Sequence, residues 1–346
     1  MGVCAIVSFR LGLSDGVSIV AGLWDRALRD MGWTTYTVAG EGPVDHRIAG
    51  LEIDATRAPD RFELEAALAP ADVVVAENIL SIPMNLAASR VLTEVLGGRP
   101  ALLHHHDPPW QRARFAHITE LPPDDPQWRH VTINRLTERQ FAERGLRATT
   151  IYNGFDTDPP MGDRKRLRAW LGIEDDDLLV THPVRAIARK NIPKAVELSE
   201  RLGAVYWLPQ PAEEGYQDEL DRVLVAARCP VIRSTISGTG FSMPDLYAAT
   251  DLVAFPSTWE GFGNPPIEAA IHRRPVAVGN YPVADELRAL GFQWFDPDDT
   301  DTIAAALRDR PDDLLERNRR IAREHLSVEN MANEVARLFT DAGWGR

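Results

Sequence analysis

The sequence predicts an α/β protein built from two doubly wound parallel sheets, and three observations carry that expectation. Short apolar runs alternate with segments of helical periodicity along the chain, the pattern of successive βαβ units. The alternation breaks once, at Asn153-Gly154 and the TDPPMGDR stretch that follows, and then restarts. In the second half an apolar run at 251–255 leads through a small-residue loop into a helix start near Pro265.

Taken in order, 3–9 reads as a buried strand and 10–18 as a glycine-containing loop. Residues 17–31 read as a helix through Val17, Val20, Ala21, Trp24, Ala27 and Leu28. Strands at 34–38 and 72–76 flank a helix around 62–68. A helix at 85–96 stops at Gly97-Gly98. A strand from 101 ends in His104-His105-His106-Asp107, and a strand at 131–133, a helix at 137–144 and a strand at 149–152 close the first half. The second half gives strands at 178–182, 205–208, 231–232, 251–255, 276–278 and 294–295. Its helices fall at 193–202, 216–227, 243–249, from 265 and at 284–290. Three tail helices follow at 299–308, 313–323 and 328–342. Two Rossmann-like domains facing a cleft, with ligands beyond the carboxyl ends of the strands, are the natural reading. An eight-stranded barrel would not need the break near Asn153 or the extra tail helices.

Composition narrows the function. A chain of 346 residues with 44% hydrophobic content can bury two cores. A formal net charge of -13 argues against nucleic acid as main partner and gives a polybasic membrane anchor no support. The two cysteines, Cys4 and Cys229, lie far apart in apolar runs and read as core residues of a reducing compartment. The N-terminus enters a strand at once, and no run nears the roughly 20 apolar residues that span a bilayer. Ile6 stands where a myristoylation pattern needs Ser or Thr. The expectation is a cytoplasmic protein.

The chemistry concentrates in AFPSTWEGFGNPPIEAA. Asn264 is the expected N-cap, with Pro265 and Pro266 at the first helical positions and Glu268 in the first turn. A helix N-terminus after a glycine loop is an anion site. Upstream, Arg185 and Lys190 lie five apart in RAIARKN, just after a strand. A guanidinium fork and a mobile ammonium suit a diphosphate; Arg189 neighbours the pair, so which arginine faces the ligand stays open.

Glu260 and Glu268, with seven residues between them and Gly-Phe-Gly after the first, resemble the C-terminal motif of the retaining glycosyltransferases of family 4. That family has the GT-B fold, and the Arg-x4-Lys spacing resembles its phosphate-binding pair. The resemblance implies domains at 1–153 on the acceptor side and 154–326 on the nucleotide-sugar side, with 327–346 as a helix returning to the first. It implies that Arg185 and Lys190 take the diphosphate, Glu268 the ribose hydroxyls, and Glu260 the sugar. The amides of Gly261, Phe262 and Gly263 would hold sugar hydroxyls or phosphate. A single histidine beside the transferred sugar aligns best with His106, with Asp107 after it, and Gly16 matches the phosphate loop of the first domain. Transfer would retain anomeric configuration without a protein nucleophile, a cofactor or a metal. The partners would be a nucleotide-sugar donor and a hydroxyl acceptor, and Arg112, Arg114, Arg135 and Arg139 suit an anionic one. His104 and His106 share a strand face, but no nearby acid or cysteine spacing completes a metal site.

Three departures stand out: Asp15 replaces the first glycine of that loop, the dinucleotide fingerprint G-x-G-x-x-G is absent, and WLPQPAEEG replaces a glycine-rich turn beside the base. A sugar-nucleotide epimerase or hydrolase, and a non-catalytic nucleotide-sugar-binding subunit, are the competing readings. Product analysis with and without acceptor separates them.

Overall fold

The computed structural model describes residues 2–13, 15–309 and 311–344. The chain divides into two compact units, residues 1–154 with 328–346, and residues 155–327.

The first unit runs β1 (Val3–Arg10), α1 (Gly16–Asp30), β2 (Thr34–Glu41), β3 (His46–Arg47), α2 (Arg61–Leu68), β4 (Val73–Glu77), α3 (Leu86–Leu96), β5 (Ala101–His105), β6 (Trp128–Thr132), α4 (Arg135–Ala142) and β7 (Ala148–Thr150). Its seven strands form one sheet in the order β3-β2-β1-β4-β5-β6-β7, parallel at every pairing. Both faces are covered, as side-chain alternation requires. Ala5, Val7 and Phe9 pack with Leu64, Leu68, Leu92 and Leu96 of α2 and α3. Cys4 and Ile6 pack on the other face with Trp24 and Leu28 of α1. That face also takes Met331, Val335 and Phe339 of the last helix of the chain, Val328–Asp341.

The second unit contains α5 (Arg164–Leu171), β8 (Leu179–Thr181), α6 (Ile192–Leu202), β9 (Val205–Trp207), α7 (Gln217–Ala226), β10 (Val231–Ile232), α8 (Met243–Ala249), β11 (Leu252–Phe255), α9 (Asn264–Ile271), β12 (Val276–Val278), α10 (Pro282–Ala289), α11 (Thr300–Asp309) and α12 (Asp312–Leu326). Its sheet is ordered β10-β9-β8-β11-β12, again parallel throughout. The order reverses direction between β8 and β11. In open α/β sheets ligands bind beyond the carboxyl ends of the strands at such a point.

The structure corrects three local expectations. Residues 294–295 do not make a strand; Phe295 contributes one bridge to Ala277. Asn264 is not the N-cap of α9 but its first residue, and Gly263 caps the helix at φ 100°. Glu268 therefore sits beyond the first turn. The two prolines also take backbone donors away from the helix start, because proline has no N–H.

Candidate active site

In the second unit, the loop after β8 ends in a single turn, Ala188–Lys190, and the loop after β11 carries Trp259 and Glu260. The two loops meet through side chains. Lys190 Nζ donates to Glu260 Oε1 at 2.6 Å. Arg189 Nη1 donates to Glu260 Oε2 at 2.5 Å and to the Trp259 carbonyl at 3.0 Å. Lys190 is 8% and Glu260 5% exposed, so this is a desolvated triad of two cations against one carboxylate. Burial lowers the Lys190 ammonium to about 8, helped by Arg189 and opposed by Glu260. Burial pushes the Glu260 carboxyl up, but Lys190 and Arg189 outweigh it and hold the carboxyl low. The Lys190 ammonium also lies 5.1 Å from the centre of the Phe255 ring.

Arg185, the arginine singled out by spacing, is placed elsewhere. Its Nη1 pairs with Glu213 Oε2 at 2.6 Å, with both side chains about two-fifths exposed, where solvent screens such a pair. Arg189 occupies the position next to Lys190 on Glu260. Spacing alone left this choice open; in the structure the 188–190 segment, closed by Asn191 at φ 54°, sets Arg189 beside Lys190 on Glu260.

Glu268 receives a hydrogen bond from Tyr247 Oη at 2.5 Å. Burial raises its carboxyl above the ordinary value, and the Tyr247 bond only partly offsets this. Gly263 lies under Tyr281: a Cβ there would sit 2.3 Å from Tyr281 Oη. At φ 100° only glycine is unstrained. Phe262 is buried and stacks on Phe155 with ring centres 6.1 Å apart, while the Gly261 and Phe262 backbones continue the loop. Two further groups escaped the sequence reading. Tyr281 Oη is buried with no hydrogen-bond partner among the described residues. His182, which follows β8, shares a hydrogen bond between Nδ1 and Tyr206 Oη at 3.0 Å, and its buried Nε2 has no partner among the described residues. Burial, then the charge of Lys190, lowers His182 to about 3, so it is neutral. An orphaned buried polar atom at a sheet's carboxyl edge is a group awaiting a partner.

In the first unit, Glu77 ends β4 and His104 lies opposite it in register on β5. His104 Nδ1 is 2.9 Å from Glu77 Oε1, and His106 Nε2 is 3.1 Å from Glu77 Oε2. All three are buried. The sequence offered no acid near the histidines; the acid comes from the neighbouring strand, 27 residues upstream. Their ligand atoms lie within 4.8 Å of one another, a set of metal-binding type. Each is nevertheless already satisfied by a hydrogen bond. His104 Nε2 has no partner among the described residues, whereas a metal-bound imidazole normally anchors its second nitrogen. Asn78, at φ 58°, accepts at Oδ1 from the backbone amides of His106 (3.1 Å) and Asp107 (3.2 Å). Asp107 is paired with Arg112 at 2.7 Å.

Gly16 opens α1, and among the described residues nothing beyond its chain neighbours and its own helix backbone lies within 4 Å of where its Cβ would be. Asp15 caps that helix, accepting from the Ser18 amide and hydroxyl, and pairs with Arg10 at 3.3 Å. A carboxylate therefore occupies the place of an anion at this helix start. Arg114, Arg135 and Arg139 are exposed.

Residues 214–313, which include Glu260 to Glu268, match the family described as glycosyl transferases group 1. Over 369 aligned positions the chain is 25% identical to mannosylglucosylglycerate synthase of Petrotoga mobilis, covering 83% of this chain and 85% of that protein. Over 100 residues, 28% of each chain, it is 36% identical to the O-antigen chain mannosyltransferase RfbU of Salmonella typhimurium. Among solved structures, Anabaena HepE in complex with UDP and glucose superposes with a TM-score of 0.77 at 18% identity, over 99% of this chain and 100% of that one. No helix among the described residues is long and apolar enough to cross a membrane. The chain thus has the GT-B fold, and residues 214–313 of its second unit are similar to the group 1 glycosyltransferases.

Proposed function

We propose that this protein is a retaining glycosyltransferase that moves a hexose from a nucleotide-diphosphate sugar to a hydroxyl acceptor without a metal. The observation that carries the proposal is the convergence of Lys190 and Arg189 on Glu260 at the switch point of the second sheet. Two cations against one carboxylate leave one positive charge, and a diphosphate departing with the bond electrons needs such a counter-charge. Glu260 keeps both cations aimed before the donor arrives, and Glu268 is the acceptor for ribose hydroxyls. Retention would follow from attack on the face that the phosphate leaves, the phosphate taking the acceptor's proton. HepE binds UDP-glucose, which supports a donor of this class. The name of the Petrotoga relative points to a hexosyl product on a carboxylate-bearing acceptor, and the exposed arginines Arg114, Arg135 and Arg139 suit an anion.

The test is a panel of UDP-, GDP-, ADP- and TDP-hexoses, each with and without glucosylglycerate and simpler hydroxy acids. Nucleoside diphosphate release that depends on acceptor, with the donor's anomeric configuration kept in the product, is expected. Donor consumption without acceptor would make it a hydrolase or epimerase. Binding with no consumption would make it a sensor subunit. A chelator should leave the rate within about twofold, and its complete loss would overturn the metal-free reading.

The pH profile is expected to be bell-shaped. Lys190 loses its positive charge as pH rises through about 8, so kcat/KM for donor should fall tenfold per unit above that. Glu268, with its carboxyl raised, takes up a proton earlier than an ordinary glutamate as pH falls, so the acid limb should mark loss of the ribose acceptor. Lys190→Met should abolish the alkaline limb; a wild-type profile flat to pH 9.5 would contradict the role of Lys190.

A further inference from the structure

We propose that Glu77 and Asn78 are positioning residues that hold His106 with Nε2 protonated and Nδ1 bare, as a hydrogen-bond acceptor for a substrate hydroxyl. The inference rests on the transferase reading, and it adds two residues from the end of β4.

An imidazole has two faces of opposite character, and which nitrogen holds the proton is set by what the other one meets. His106 Nε2 meets a carboxylate oxygen of Glu77 at 3.1 Å. A carboxylate can only accept, so Nε2 must be the donor. Burial pushes the Glu77 carboxyl up, but the neighbouring His104 and His106, which both hydrogen-bond to it, bring it down to about 2. His104 Nδ1 lies 2.9 Å from the other oxygen and 3.1 Å from the same one, so two imidazoles hold the carboxylate in place. His104 lies against the His106 ring, centres 4.5 Å apart, and is backed by Trp24 at 4.4 Å. Burial keeps His104 neutral, with Glu77 opposing. His105 points the other way, towards Ser81 and His130, and burial keeps it neutral too.

The backbone is fixed by a second device. Asn78 adopts φ 58°, a region that costs a non-glycine residue free energy. That conformation presents its Oδ1 to the amides of both His106 and Asp107. Strained asparagine and buried glutamate are adjacent in sequence and grip the same residue, one by its main chain and one by its ring. A packing role would need neither an ionised carboxylate nor a left-handed residue. With Nε2 committed, no donor to His106 Nδ1 is found among the described residues. His106 is buried but not sealed, at 6% exposed.

The test combines imidazole nitrogen NMR with kinetics on the full chain. With 15N-histidine labelling, and His106 assigned through its loss in His106→Gln, the wild type at pH 7.5 is expected to show a protonated Nε2 and a bare Nδ1. A protonated Nδ1, or an imidazolium, would overturn the proposal whether or not any variant folds. Glu77→Gln offers an amide that can face His106 with either end. It is expected to lose the single tautomer and to lower kcat by about 10- to 100-fold, as when the partner that orients a metal-bound imidazole is removed. Glu77→Asp, which keeps the charge, should restore part of both. A rise in acceptor KM would assign the hydroxyl to the acceptor, and a rise in donor KM to the transferred sugar. An unchanged tautomer together with unchanged kcat in Glu77→Gln would overturn the proposal. The spectrum needs no donor, so a protein that transfers nothing from any nucleotide sugar would sink the transferase reading while leaving the tautomer result to stand or fall alone.

Discussion

Lys190→Met is expected to lower kcat/KM for the nucleotide sugar by about 10²- to 10³-fold, the loss that follows removal of one group aimed at developing charge. The substitution keeps the length of the stem and removes the ammonium, together with its contact with the Phe255 ring. Glu260 is left with Arg189 as its charged partner, so the buried carboxylate is not stranded. Replacing one end of a buried ion pair by an apolar isostere while the other end stays paired costs far less than isolating it. The melting temperature should therefore move little while transfer collapses. Activity within threefold of wild type would remove Lys190 from the chemistry. The same substitution of Arg185 should have a much smaller effect, because its pair with Glu213 is half in water.

Gly263→Ala is expected to destabilise the second unit by about 2–4 kcal/mol. The value combines a left-handed backbone at a non-glycine residue with overpacking against a buried ring. The new Cβ would meet Tyr281 Oη at 2.3 Å, and Phe255 lies 3.4 Å away on the same side. Both rings are buried. Tyr281→Phe in the same chain removes the colliding oxygen and should recover part of the loss; the backbone part should remain. Chemical denaturation of the two variants separates the contributions. A Gly263→Ala protein as stable as wild type would mean that the loop after β11 is not held as described.

Most of the architecture was legible because parallel strands buried on both faces write themselves as apolar runs, as β1, β4 and β11 do. The helix α5 was not legible. Its sequence RKRLRAWL hides a two-residue buried face behind charge, and Arg168 is 1% exposed because it donates to the Glu174, Asp177 and Ala249 carbonyls. Its start and stop were there to be read, in the Asp163 cap and in Gly172 at φ 72°. Strand β3 is two exposed residues and carries no pattern at all. At the candidate site, sequence spacing singled out Lys190, Glu260 and Glu268 but could not say which of Arg185 and Arg189 would lie on Glu260, since the path of a turn is not a periodicity. Glu77 was invisible for another reason. Its partnership with His104 and His106 depends on which strands lie side by side, and strand order is written in the tertiary fold rather than in local pattern.

The most direct test is a crystal structure with UDP, the nucleotide that HepE binds, read for the position of the two phosphates. The expected result places β-phosphate oxygens within about 3 Å of Lys190 Nζ and the Arg189 guanidinium, with the ribose diol on Glu268. A diphosphate bound elsewhere, with Lys190 and Arg189 still closed on Glu260 alone, would contradict the site.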